Sequence, residues 1–209
     1  MTATPRRGAV RFIDNADRAV LAVILLLTSA APGFAHVEAG QVPGLLNGLG
    51  HPASGLDHVL AMIAVGLWGA QLGAPALWLL PVTFPMVMAF GGFLGLVGIP
   101  LPGVEIGIAL SAVLLGLMVA RQAQPPLIGA AILVGVFAIF HGHAHGAELP
   151  PGQSGLMYSI GFVTATGCLH GVGISLGLVH KWAAGQAAIR LAGSIVALAG
   201  VVFLVRALA

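Results

Sequence analysis

Three of the chain's eight histidines and one of its six acidic residues fall in one short stretch, Phe140-His141-Gly142-His143-Ala144-His145-Gly146-Ala147-Glu148. It directly follows residues 128–139, an apolar run suited to the body of a membrane-spanning helix. If that helix continues at ~100° per residue, His141, His145 and Glu148 lie within roughly 60° on one face, and His143 points nearly the opposite way. Two imidazoles one turn apart with a carboxylate beneath them form a chelating set for a first-row divalent cation. The simpler reading is a histidine-rich loop at a membrane surface. A second cluster, His51-Pro52-Ala53-Ser54-Gly55-Leu56-Asp57-His58, also at a helix end, favours the metal. On a continuous helix His51, His58 and Met62 share a face, and Pro52 suits the first turn, where its missing N–H costs nothing. Asp57 either ligates the cation or accepts the ring N–H of a ligating histidine and so fixes its tautomer; the residues leave both roles open. Ligation needs neutral imidazoles, and free imidazole titrates near pH ~6.5, so protons compete with the metal for these nitrogens.

These residues need elements to hold them, and composition says of what kind. The chain is 58% hydrophobic and 7% charged, with a mean hydropathy of +1.04. Soluble domains carry ~25% charged residues, so this is an integral membrane protein with the lipid bilayer as its solvent. The net charge of +2 comes from few residues and does not indicate a nucleic-acid partner. The 31 glycines, set in apolar segments, suggest closely packed helices, with Gly142/Gly146, Gly167/Gly171 and Gly173/Gly177 as spaced small-residue pairs. A single cysteine, Cys168, excludes an intramolecular disulfide and a CxxC metal site, and it reads as a packing residue.

Residues 1–35 have the pattern of a cleavable signal peptide: Arg6, Arg7, Arg11 and Arg18, then an apolar run, then small residues ending at Ala35. Cleavage there makes His36 the mature N-terminus, whose α-amine and imidazole form a weak chelating pair. Residues 36–50 read as a short external lead-in. Six apolar segments follow, at 55–72, 77–97, 104–120, 127–145, 155–179 and 184–205, each long enough for a ~30 Å hydrocarbon core. Glycine and proline punctuate the short connections between them. The fold class is therefore all-α: a polytopic bundle of six transmembrane helices over residues 36–209, with no room for a soluble domain. Arg121 and Lys181 lie in loops that an exported N-terminus places inside, as expected for the inner (cytoplasmic) membrane with the mature N-terminus outside; Arg206 counts mildly against this. Both clusters then meet at the outer face. His170 lies deeper in the fifth segment, as a second metal station or a packing residue. Glu105 opens the third segment, with a favourable helix dipole preferred to a role in a metal vestibule.

The paired motifs, H-x5-D-H in the first mature helix and F-H-G-H-A-H-G-x-E in the fourth, resemble those of the HupE/UreJ membrane proteins. The related spacing H-x4-D-H of the nickel/cobalt transporters is one residue shorter. The resemblance implies a six-span nickel permease, not an enzyme, associated with nickel supply to hydrogenase and urease. It also implies His51, Asp57, His58, His141, His145 and Glu148 as the metal residues; His36, His143 and His170 are secondary candidates from the residues themselves. Residue chemistry alone admits a range of borderline cations, so Co²⁺ and Zn²⁺ stand beside Ni²⁺, and no prosthetic group is expected. Expected partners are the metal ion, metal-accepting hydrogenase or urease maturation proteins, and a second copy of the chain. The competing readings are a membrane metalloenzyme with an open coordination position, and a metal-sensing or delivery subunit.

The predicted orientation has a direct check. Alkaline phosphatase fused near Pro151 is expected to be active, and the same reporter near Gln122 or Ala183 inactive; the reverse pattern places the cluster on the cytoplasmic side.

Overall fold

The computed structural model describes residues 44–149 and 152–209. The proposed signal peptide at 1–35, its cleavage after Ala35 and the terminal site at His36 lie outside the described residues. Seven α-helices account for most of the rest: α1 Gly44–Gly50, α2 Leu56–Leu72, α3 Ala76–Leu96, α4 Val104–Arg121, α5 Leu127–Ala147, α6 Gly155–Gly177 and α7 Ala183–Leu208. Short 3-10 turns join α1 to α2 at His51–Ala53 and α6 to α7 at Leu178–Lys181. There is no strand among the described residues.

The helices α3 to α7 are each long and apolar enough to cross a membrane. Their outward faces carry large apolar side chains such as Trp78, Phe90 and Leu198, which suits lipid and not water as the surrounding solvent. Inside, Met62, Val65 and Trp68 of α2 are fully buried against Leu80, Phe84 and Met88 of α3 and Leu115 and Val119 of α4. Met62 thus fills the core.

Among α2 to α7, three helix pairs approach closely, and glycine makes this possible. Gly142 and Gly146 of α5 lie against the carbonyls of Met88 and Gly92 of α3, where an added Cβ would overlap backbone. Gly66 of α2 and Gly173 of α6 meet in the same manner, as do Gly116 of α4 and Gly193 of α7. Without a hydrophobic force between helices in lipid, such backbone approach supplies much of the packing. Residue numbers rise together across the first two contacts and oppositely across the third, as alternating spans require. The start of α2 and the end of α5 consequently share one face of the bundle, which brings the two histidine clusters into one place.

Several expectations change. The pairs Gly142/Gly146 and Gly173/Gly177 do pack against neighbouring helices, but Gly167 and Gly171 have open space where a Cβ would go. Cys168 is exposed, not packed. Both facts follow from the buried stripe of α6, which runs through Tyr158, Phe162, Thr166, His170, Gly173 and Gly177 and leaves residues 167, 168 and 171 on the far side. The lead-in ahead of His51 is helical over Gly44–Gly50 and packs on α6, with Gly48 against the Tyr158 carbonyl and Gly161 against that of Leu45.

The first span is also broken. The segment Gly44–Ala53 and α2 meet at a bend of 81°. His51 therefore sits in a 3-10 turn, and the single helical face expected for His51 and His58 does not form. The cause is local. Ser54 sends both its Oγ and its backbone N–H to the His51 carbonyl, at 2.6 and 3.0 Å, which closes the turn. Gly55 is extended at φ −109°, ψ 113° and starts α2 on a new axis.

At the opposite end of α2, Trp68 Nε1 donates to the Ala123 carbonyl at 3.0 Å and Gln71 Nε2 to that of Val119 at 3.1 Å. Arg190 Nε donates to the Ala120 carbonyl at 3.2 Å, so an arginine that reads as an interfacial anchor also caps the end of α4.

The glycine contacts predict a contrast. Gly142→Ala forces α3 and α5 apart and is expected to cost about 1–3 kcal/mol, read as a lower thermal midpoint in detergent. Gly167→Ala faces open space and is expected to be neutral or slightly stabilising by helix propensity.

Candidate metal centre

The last two turns of α5 set His141 and His145 on its buried face, at 0% and 3% exposure. The first turn of α2 brings His58 against both rings, with centroid separations of 4.8 Å to His141 and 4.5 Å to His145. The 3-10 turn adds His51, whose ring lies 4.7 Å from that of His145. Four imidazoles thus form a continuous column, His51–His145–His58–His141, running from the half-exposed mouth into the bundle. Glu148, at the C-cap of α5, closes the mouth: its Oε2 lies 2.9 Å from His51 Nε2. Ligand atoms of His51, His145 and Glu148 all fall within 4.8 Å of one another. A divalent cation with ~2.0–2.1 Å bonds wants donors about 3.0–3.4 Å apart, so small side-chain adjustments complete the set.

The hydrogen bonds show which nitrogens are available. His58 Nδ1 lies 2.8 Å from Asp57 Oδ1, which also accepts the His58 backbone N–H at 2.8 Å. His141 Nδ1 donates to the Phe137 carbonyl at 2.9 Å. Each bond places the ring proton on Nδ1 and the lone pair on Nε2. Both Nε2 atoms are buried and have no hydrogen-bond partner among the described residues, and neither has either nitrogen of His145. Buried polar atoms normally find partners, so these nitrogens, on rings that pack against one another, are candidates to ligate a cation. Asp57 holds the His58 ring through Nδ1, a contact of the kind by which carboxylates orient metal-bound histidines.

The structure does not bring every predicted residue into this group. His143 turns away, and its Nε2 donates to the Ile99 carbonyl between α3 and α4 at 2.7 Å. His170 is buried outside this group, and the Phe84 ring lies 5.3 Å from both its ring and that of His141. Glu105, preferred as a dipole partner, does lie in the first turn of α4, but it also lines a cavity of about 470 Å³ shared with Asp57 and Arg206. His180 bonds only the Gly177 carbonyl, at 2.9 Å.

Three aromatic residues at the site escaped the sequence reading. Phe162 packs 4.0 Å from His145, Tyr158 lies 5.7 Å from His51, and Phe84 lies 5.3 Å from His141. Phe162 and Tyr158 had a visible signal. Tyr158, Phe162, Thr166 and His170 recur every four residues on α6, and Tyr158 is the chain's one tyrosine. Phe84, flanked by prolines in an apolar run, had none.

Comparison with known proteins agrees with the motifs. The chain is 50% identical over 181 residues to Protein HupE of Rhizobium leguminosarum bv. viciae, an alignment that covers 86% of this chain and 95% of that protein. No solved structure matches. The family described as HupE / UreJ protein matches residues 23–203, and the chain belongs to that family.

Proposed function

We propose that the chain is a divalent-metal permease with Ni²⁺ as cargo, which collects the ion at the mouth formed by His51, His145 and Glu148 and passes it inward to His58 and His141. The observation that carries this reading is the column of four imidazoles, three of them with buried nitrogens that have no partner among the described residues, beneath an exposed carboxylate. The resemblance noted from the motifs, joined by membership of the HupE/UreJ family, supports nickel over its neighbours in the divalent series.

The chemistry at the mouth is an exchange of proton for metal. Without metal, a ring proton between His51 Nε2 and Glu148 Oε2 holds the two together across 2.9 Å. An arriving cation takes both atoms as ligands, and that proton is released to water at the exposed mouth. Glu148 is half exposed and meets the hydrated ion first; His145 is buried and strips water from it. Deeper in, the ligands are neutral nitrogens only. Moving from a mixed oxygen and nitrogen set to nitrogens suits ions late in the Irving–Williams order and disfavours Mg²⁺ and Ca²⁺. Asp57 contributes from behind His58, because a carboxylate on Nδ1 raises the basicity of Nε2. The acceptor on the inner side is a metal-delivery protein for hydrogenase or urease, and the outer face is the periplasmic one, as the loop charges suggest.

Uptake of Ni²⁺ at limiting concentration tests this reading. With membrane abundance matched by immunoblot, His145→Ala, His58→Ala, His141→Ala and Glu148→Gln are expected to lower uptake at least about tenfold. Asp57→Asn is expected to raise the half-saturating concentration about 10–100-fold. His143→Ala and His180→Ala serve as controls within about twofold of wild type. Acidifying the medium is expected to depress uptake, with recovery at excess metal, because protons and metal compete for the same ligand atoms. Normal uptake in the His58 and Glu148 variants would contradict the proposal.

A further inference from the structure

The buried stripe on α6 continues past the cluster. Phe162 packs on His145, and His170 comes two turns later, ~12 Å further along the axis. His170 is 1% exposed. Its ring centroid lies 5.3 Å from that of Phe84, and the fully buried Phe84 ring also lies 5.3 Å from His141. One more histidine therefore lies inward of the column and shares a phenylalanine neighbour with it.

His170 is tethered for a reason that the sequence of α3 supplies. That helix runs unbroken through Pro81 and Pro85. The Pro81 carbonyl would ordinarily accept the N–H of residue 85, but a proline there has none. In a hydrocarbon environment the carbonyl then needs another donor. His170 Nδ1 provides it at 3.2 Å. The bond puts the ring proton on Nδ1 and the lone pair on Nε2, which is buried without a partner among the described residues. Thr166, one turn earlier on the same stripe, is fully buried, and its Oγ1 also has no partner among the described residues.

His170 thus shares three properties with His58 and His141: burial, an Nδ1 tied to an internal oxygen, and an unpartnered Nε2. His143 also leaves a buried ring nitrogen without a partner, but it turns away from the cluster, whereas His170 lies on the α6 stripe that packs on it. We propose that His170 is an inner metal station, whose Nε2 ligates the cation after it leaves the cluster, while the Thr166 hydroxyl holds a water of the ion's coordination shell. This inference rests on the permease reading above and deepens it: the ion passes from the cluster to a second nitrogen site further along α6.

Asparagine separates the two roles of His170. Its amide nitrogen occupies the position of Nδ1 and still donates to the Pro81 carbonyl, but nothing stands in the place of Nε2. The test uses the full chain in lipid nanodiscs, with Ni²⁺ binding measured by equilibrium dialysis beside uptake in cells. His170→Asn is expected to reach wild-type abundance, to bind one equivalent fewer than wild type with the remaining affinity unchanged, and to lower uptake at least about tenfold. In a Cys168→Ser background, His170→Cys loaded with Co²⁺ is expected to develop sulfur-to-cobalt charge-transfer absorption, a signature that a structural role would not produce. Unchanged Ni²⁺ stoichiometry, uptake within about twofold of wild type, or a cobalt complex without that absorption would overturn the proposal. Wild-type protein that neither binds nor imports Ni²⁺ would instead remove the permease reading itself, before any variant is made.

Discussion

The arrangement depends on imidazole nitrogens buried in a membrane protein with their lone pairs left open. An unsatisfied buried polar atom typically costs about 1–3 kcal/mol, and several are gathered here within a few ångströms. The fold holds them by giving each of His58 and His141 one strong partner on Nδ1 and none on Nε2. Half of each ring is thereby satisfied by the protein, and the other half is left open, as the proposed metal site requires. Neutral nitrogens are a workable choice at this depth. A second pair of carboxylates would bring charges that are far more costly to bury than imidazoles.

Geometry at the mouth follows from the break in the first span. A straight helix through residues 44–72 would carry His51 along the axis of α2 and away from α5. The Ser54 turn and the extended Gly55 redirect the chain, and the α1 segment then packs on α6 through Gly48 and Gly161. His51 is thus brought over His145 and Glu148. Non-helical backbone within membrane depth is tolerated where protein buries it or where it lines a site, and this turn does the latter. The close α3–α5 contact has a related role: by seating Gly142 and Gly146 on α3, it presents His141 and His145 inward from the same turns.

Much of this was legible in the sequence, and the exceptions have physical causes. The spans, the clusters at one face and the opposite heading of His143 follow from hydropathy and a period of 3.6, which long apolar helices obey closely. The break at Ser54–Gly55 was not foreseen, because H-x5-D-H reads equally well as two turns of one helix. Helix α1 was passed over since its glycines, read as loop formers, are contact residues against α6. Cys168, Gly167 and Gly171 were given to packing because spacing along one helix does not reveal which stripe faces the bundle. The buried stripe could have been chosen from its four-residue recurrence of Tyr158, Phe162, Thr166 and His170. The capping of Pro81 by His170 joins residues far apart in the chain, and no local pattern announces it.

X-ray absorption spectroscopy of the Ni²⁺-loaded protein in nanodiscs addresses the central claim most directly, because imidazole ligands give a distinct multiple-scattering signature. The account predicts a nickel shell containing at least two histidine nitrogens, with His58→Ala and His145→Ala each reducing that imidazole contribution. A spectrum of nickel bound by oxygen and water alone, unchanged in both variants, would contradict it.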